Sequence, residues 1–287
     1  MKKHNPNNVR ITRKYCSFLK EAKRQNEASI DGVAKAINRF EQYTKFKDFK
    51  QFHFEQAVGF KKHLTNQKNE ITNKPLSKAT LNTTLRHLKN FFQWLAMQTG
   101  YKSRINYSDT EYFNLSEKDT RVANAKRKKP VPSLEQIIHV LEHMSDRTDI
   151  EKRNKALIAF TLLTGARDRA IASIKIKHVN LHEESLFQDA REVNTKFSKT
   201  FTTYFFPVGE LPLNIIKAWI EYLKKELLFS PDDPLFPKTR IENSTNRNFE
   251  PTGLLRDHWQ TANPIREIFK QAFQHANLSY YNPHSFR

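Results

Sequence analysis

Ala156-Leu157-Ile158-Ala159-Phe160-Thr161-Leu162-Leu163-Thr164-Gly165-Ala166-Arg167 is the stretch on which the reading of this chain turns. The apolar run predicts a buried helix, and Gly165 marks the turn that ends it. Arg167 then emerges from a tight turn braced by a hydrophobic core. About 120 residues further on, His284-Ser285-Phe286-Arg287 supplies a second arginine with a histidine beside it. Arginine stays charged, and its planar fork grips two oxygens at once. Two such forks and a histidine suit a phosphodiester, whose nonbridging oxygens gain charge as a nucleophile adds.

Composition narrows the partner. Lys and Arg number 49 against 30 Asp and Glu, a formal net charge of +19. Each phosphate that such a surface neutralises releases condensed counterions, so the excess favours nucleic acid. An anionic membrane is the competing polyanion. However, no uninterrupted apolar stretch approaches the roughly 20 residues that a spanning helix needs, and Met1-Lys2-Lys3-His4-Asn5-Pro6 opens no signal-peptide core. The expectation is a soluble, cytoplasmic protein. The 287 residues suggest two domains. The lone Cys16 forms neither an intramolecular disulfide nor a thiolate metal site, and reads as a small buried apolar side chain.

Outward from the central helix, Val9 to Tyr101 shows helical periodicity, with Val33, Ile37 and Phe40 at three- and four-residue steps. Its clearest helix runs from Lys78 to Leu95. Ser77 is the N-cap, Leu81, Leu85, Leu88, Phe92 and Leu95 form one stripe, and Arg86 and Lys89 lie opposite. Between Lys102 and Ser133 the pattern dissolves into polar residues that end in Lys126-Arg127-Lys128-Lys129-Pro130, which reads as a basic linker. A second domain opens with Ser133 and Gln136 as a capping box on a helix Leu134–Met144. Strands are expected between Val179 and Pro207, notably Thr202-Thr203-Tyr204-Phe205-Phe206. Helices are expected over Leu213–Leu228 and Ile265–Ala276, with a loop in the Asn-rich stretch from Asn243 to Asn248.

Neither arginine tetrapeptide is distinctive alone. Their order, their separation, the strands between them and the helical domain with a basic linker in front together resemble the tyrosine recombinases, the phage-integrase family. There a TG-x-R box and an H-x-x-R box close on the scissile phosphate of DNA. The resemblance implies a mainly α fold with a small antiparallel β-sheet. A helical SAM-like core-binding domain (1–104) and a basic linker (105–132) would precede a mixed α/β catalytic domain (133–287).

By that resemblance Arg167 and Arg287 bind the phosphate, His284 assists proton transfer, and a hairpin lysine protonates the leaving 5′ oxygen. In Val193-Asn194-Thr195-Lys196-Phe197-Ser198-Lys199-Thr200 that lysine is Lys196, with Lys199 reaching a phosphate. Arg86, Lys89, Lys126, Arg127, Lys128 and Lys129 are the further DNA contacts. The implied partners are double-stranded DNA at a specific recombination site and three further copies of the chain in a homo-tetramer. The use implied is integration or excision of a mobile element. No cofactor is implied, because a covalent phosphotyrosyl link conserves bond energy.

The chain departs from the family pattern twice. The acidic residue usual three positions after the first arginine is replaced by Ala170, with Asp168 nearby on another face of the turn. None of the nine tyrosines follows Arg287, so a chain without its nucleophile, inactive in cleavage by itself, is expected. Tyr280 and Tyr281 are expected to pack near the histidine. The alternative is a non-catalytic DNA-binding accessory or regulatory protein of the same fold. His139 and His143 are spaced for a metal on a helix but lack a third ligand, so no metal site is expected.

Overall fold

The computed structural model describes residues 4–69, 72–125, 129–243 and 248–287, and the chain divides into two compact units, Met1–Arg127 and Lys128–Arg287. The first is helical: α1 (Pro6–Glu21), α2 (Glu27–Tyr43), α3 (Phe54–Asn66), α4 (Lys78–Leu95) and α5 (Glu117–Asn124). Phenylalanine dominates its interior. Phe52 stacks on Phe92 at 3.9 Å between ring centroids, and Phe40 meets Phe92 edge-on at 5.1 Å. Asn8 is a fully enclosed polar residue there. Asn8 donates to Glu41 Oε1 at 3.0 Å and to the Lys47 carbonyl at 2.9 Å, and accepts from the Phe49 N–H at 3.0 Å. With every amide atom satisfied, its burial ties α1 to α2 and the turn beyond it. Cys16 is half-buried, and burial raises its thiol pKa.

Helix α4 spans the residues its stripe predicts, and the Ser77 hydroxyl accepts from the Thr80 N–H at 3.1 Å. The stretch read as a linker differs, because it contains a 3₁₀ turn, Tyr107–Phe113, and then α5. Phe113 is the cause. Its buried ring lies 5.5 Å from Phe52 and 5.7 Å from Phe92, so this polar-looking segment is pinned to the first unit. Lys126, Arg127 and Lys128 lie outside the described residues, and Lys129 is exposed.

The second unit holds α6 (Leu134–His143), α7 (Asp149–Thr164), α8 (Asp168–Ile171), α9 (Glu210–Lys225) and α10 (Asn263–His275). Strands β1 (Val179–Asn180), β2 (Ser185–Gln188) and β3 (Phe201–Tyr204) pair antiparallel in that order, and β4 (Thr239–Asn243) pairs with β5 (Phe249–Leu254). The chain is thus mainly α with small antiparallel sheets, as expected. Every residue of α7 from Ala156 to Thr164 is buried, so this helix is the axis of the unit. The Ser133–Gln136 capping box forms, and Thr148 and Glu151 make a second one on α7.

Other boundaries shift for local reasons. Helix α9 starts at Glu210 because Pro212 is tolerated in a first turn, and the chain has left the helix before Leu228, whose φ is +54°. Phe205 and Phe206 leave the strand, since the Phe206 N–H turns to the Leu163 carbonyl at 2.7 Å. Asn243 ends a strand rather than a loop, and residues 244–247 lie outside the description.

Candidate functional site

The first arginine box is built on the end of α7. Gly165 takes a left-handed φ of +56°, and its N–H donates to the Thr161 carbonyl at 2.9 Å. The Thr164 hydroxyl donates to the Phe160 carbonyl at 2.7 Å and accepts from the Ala166 N–H at 3.2 Å, which fixes the turn from both sides. Ala166 is buried, and Arg167 is the N-cap residue of α8, its carbonyl accepting from the Ile171 N–H at 2.9 Å. An apolar helix end thus delivers a charged side chain from a backbone with little freedom.

The second box is a 3₁₀ turn, Pro283–Phe286, entered through Asn282. The Asn282 side chain accepts from the His284 N–H at 3.0 Å, and its carbonyl accepts from the Ser285 N–H at 2.9 Å. Phe286 is the anchor. It is buried between Phe269 and Phe273 of α10, at 5.0 and 6.2 Å between centroids. His284 and Arg287 flank that anchor.

The two boxes meet at Arg167, which lines two adjoining cavities. In one, of about 340 Å³, it faces His284, Asn282 and Arg266. The other, of about 230 Å³, it lines together with Arg287, Gln188 and Thr203. Partial desolvation, and then the positive charge of Arg167, push the Arg287 guanidinium below its usual pKa. Among the described residues no ion pair involves Arg167 or Arg287. Two unneutralised guanidinia held side by side repel, and an anion between them relieves the repulsion.

The β-hairpin supplies part of the wall. Gln188 pairs with Phe201 and Leu186 with Thr203, and alternation puts all four on one face. The Gln188 amide donates to the Thr203 hydroxyl at 3.3 Å. Sequence reasoning missed these wall residues and Phe206. The two-residue alternation of β3 signalled a face, but nothing local said which way it points.

Lys196 and Lys199 sit in the loop of this hairpin, away from the cavity walls. The loop bends through Phe197 and Ser198, at φ +62° and +50°, and the Lys196 ammonium rests 4.9 Å from the Phe197 ring centroid. The structure brings Arg167, His284 and Arg287 together and leaves Lys196 outside. Ala170 is buried in the core, and Asp168 pairs with Arg266, its Oδ2 accepting from Nε at 2.8 Å and lying 2.7 Å from Nη2. Tyr281 packs edge-on against Phe273 at 5.7 Å. Burial raises the Tyr280 pKa, and its charged neighbours are Arg266, Glu267 and Asp168. Among the described residues, no tyrosine lines either cavity.

In the first unit Arg86 lines a broad cavity with Asn82, Asn90 and Gln93. Lys89 is engaged, its ammonium 2.7 Å from Glu111 Oε2 and 3.1 Å from Asn114 Oδ1. On α6, the His139 and His143 rings lie 3.9 Å apart at a tilt of 43°, and the His139 carbonyl accepts from His143 Nδ1 at 2.8 Å. No helix among the described residues is long and apolar enough to cross a membrane.

An arginine box on the end of a buried helix, sharing cavity walls with an H-x-x-R turn and a small hairpin, defines a chain with the tyrosine-recombinase fold. Residues 132–287 match the model of the phage integrase family, and the chain belongs to that family. A lambda integrase dimer bound to a COC′ core site is similar at 11% identity and a TM-score of 0.60, over 97% of this chain and 83% of that one. The Tn1549 transposon integrase with transposon right end DNA is similar at 13% identity and a TM-score of 0.61, over 96% and 83%. A lambda integrase tetramer bound to a Holliday junction is similar at 12% identity and a TM-score of 0.59, over 99% and 75%. No curated protein sequence matches the chain.

Proposed function

We propose that the protein is a site-specific recombinase that binds duplex DNA and exchanges strands through a 3′-phosphotyrosyl intermediate, in integration or excision of a mobile element. The observation that carries this reading is the pair of unneutralised arginines, Arg167 and Arg287, sharing one cavity wall. A tyrosine oxygen attacks the phosphorus and the bond to the 5′ oxygen breaks. The two guanidinia stabilise the charge that grows on the nonbridging oxygens. His284 assists proton movement at the phosphate, and Lys196, delivered by its hairpin loop, protonates the leaving 5′ oxygen. The 5′ hydroxyl of a partner duplex then attacks the phosphotyrosine and releases the protein, with no outside energy source.

The family and the DNA named in the matching structures support duplex DNA as the partner. The lambda integrase tetramer on a Holliday junction supports a homo-tetramer on paired sites as the assembly we propose. Arg86, Lys89, Lys129 and Lys199 are the backbone contacts we propose among the described residues.

The test incubates the full-length product of the reading frame with nicked duplexes that carry its attachment site, and identifies the DNA-linked peptide of any SDS-stable adduct. A tyrosine adduct that Arg167→Ala lowers by several orders of magnitude, with duplex affinity retained, is the expected result. Specific binding with no adduct would instead establish the binding-only reading.

A further inference from the structure

We propose that the Asp168–Arg266 ion pair is a positioning device that holds the two arginine boxes in register. The proposal rests on the reading of Arg167 and Arg287 as the phosphate-binding pair. Asp168 immediately follows Arg167, and its Oδ1 also accepts the Arg169 N–H at 2.9 Å, so its carboxylate is held to the start of α8. Its other oxygen takes both Nε and Nη2 of Arg266, at 2.8 and 2.7 Å. Arg266 stands in the first turn of α10.

Further along, the same helix carries Phe269 and Phe273, which hold Phe286 between His284 and Arg287. Helix α10 therefore grips the first box by a charge pair and the second by an aromatic wedge. Ala170 is buried among apolar side chains and leaves no carboxylate behind Arg167. Asp168 also neutralises Arg266, so this second arginine of the larger cavity adds little to the positive charge around Arg167. With Arg266 half-exposed, the pair contributes little to stability and acts through geometry. Misplacing a reacting group by about 1 Å costs roughly 100-fold in rate.

The test compares Arg266→Ala, Asp168→Asn and the double variant in the full-length protein. It measures single-turnover adduct formation on the nicked duplex, duplex affinity and hydrogen exchange of segments 164–171 and 282–287 without DNA. Each single variant is expected to slow adduct formation by about 30-fold or more while duplex affinity stays within about threefold. The double variant is expected to be no slower than either single one, because the two residues act as a unit. Arg266→Lys recovers part of the rate, and exchange rises in both segments together. Additive losses, parallel loss of affinity and rate, or unchanged exchange in 282–287 would overturn the proposal. A wild-type protein that traps no DNA, with variants that still loosen both segments, refutes the recombinase chemistry and leaves the positioning pair standing.

Discussion

Gly165 and Phe206 approach so closely that a Cβ on the glycine would sit 3.1 Å from Phe206 Cε2 and 3.7 Å from Arg287 Cγ. The Phe206 backbone is tied to the end of α7, its N–H bonded to the Leu163 carbonyl two residues before the glycine. The glycine thus meets two demands at once, a left-handed turn and room for the residues that close the cavity. Gly165→Ala is expected to cost about 1–3 kcal/mol from the backbone conformation alone, with crowding added. It should also slow adduct formation more than it weakens duplex binding. Urea unfolding of Gly165→Ala with and without Phe206→Leu separates the two effects, since the smaller side chain relieves the crowding and leaves the backbone strain.

The base of the Lys196 loop is set by electrostatics and has a pH signature. Glu192 accepts from Lys177 at 2.9 Å, from His178 Nε2 at 2.9 Å and from Lys175 at 3.1 Å. His178 Nδ1 accepts the Lys175 N–H at 3.0 Å, so the ring proton sits on Nε2 and points at the carboxylate. Lys177 first, then His178 and Lys175, hold the Glu192 carboxyl down to about 2 from 4.5. A depressed carboxylate stabilises the folded state above its unfolded pKa, and that contribution disappears as pH falls through the folded value. Unfolding of the wild type followed from pH 6 to pH 2 should lose stability between about 4.5 and 2. Glu192→Gln should be less stable at neutral pH, with the gap closing across that window. A constant gap would show that Glu192 acts by packing alone.

Much of this architecture was legible in the sequence because it rests on local signals. The Ser77 cap and the leucine stripe fix α4, Ser133 and Gln136 fix the start of α6, and Gly165 fixes the end of α7. What escaped depends on residues distant in sequence. Phe113 lies in a polar stretch, and only the ring cluster from α2 and α4 makes it a core residue. Arg266 reads as an ordinary surface arginine until Asp168, 98 positions away, comes to face it. The H-x-x-R turn was visible as a motif, but its placement depends on α10 aromatics that any amphipathic helix would carry. Lys196 stands apart because a loop with two left-handed residues has no periodicity to report its direction.

Arg153 is the most deeply buried charge of the second unit, at 2% exposure, and no carboxylate pairs with it among the described residues. Its fork donates to the Pro237 carbonyl at 2.8 Å, the Thr239 hydroxyl at 2.9 Å and Asn154 Oδ1 at 2.8 Å. The guanidinium lies 5.0 Å from the Trp259 ring centroid, and burial lowers its pKa to about 10. It joins α7 to the root of the β4–β5 hairpin. Arg153→Met keeps the stem but orphans a buried carbonyl, and should cost about 1–3 kcal/mol in denaturant unfolding. Exchange should rise at residues 237–239 first. Arg153→Lys should rescue little, because one ammonium cannot span three acceptors.

The first unit neutralises some of its own cations, and this should shape how it meets DNA. On α4, Lys78 pairs with Asp119 at 2.9 Å and Lys89 with Glu111 at 2.7 Å, both acids coming from the segment after the helix. Lys89 is the leading cause that lowers the Glu111 pKa. Arg86, between them, has no such partner among the described residues. A lysine already paired releases few counterions when a phosphate arrives, whereas a free arginine contributes fully. Arg86→Ala should therefore reduce the slope of log affinity against log salt by about 1, and Lys89→Ala by clearly less. Glu111→Gln frees Lys89 and should steepen the slope by about 1 while tightening duplex binding at low salt. Titrations of a labelled duplex at four salt concentrations are sufficient. If Glu111→Gln and Lys89→Ala both leave the slope unchanged, Lys89 does not face the phosphate backbone.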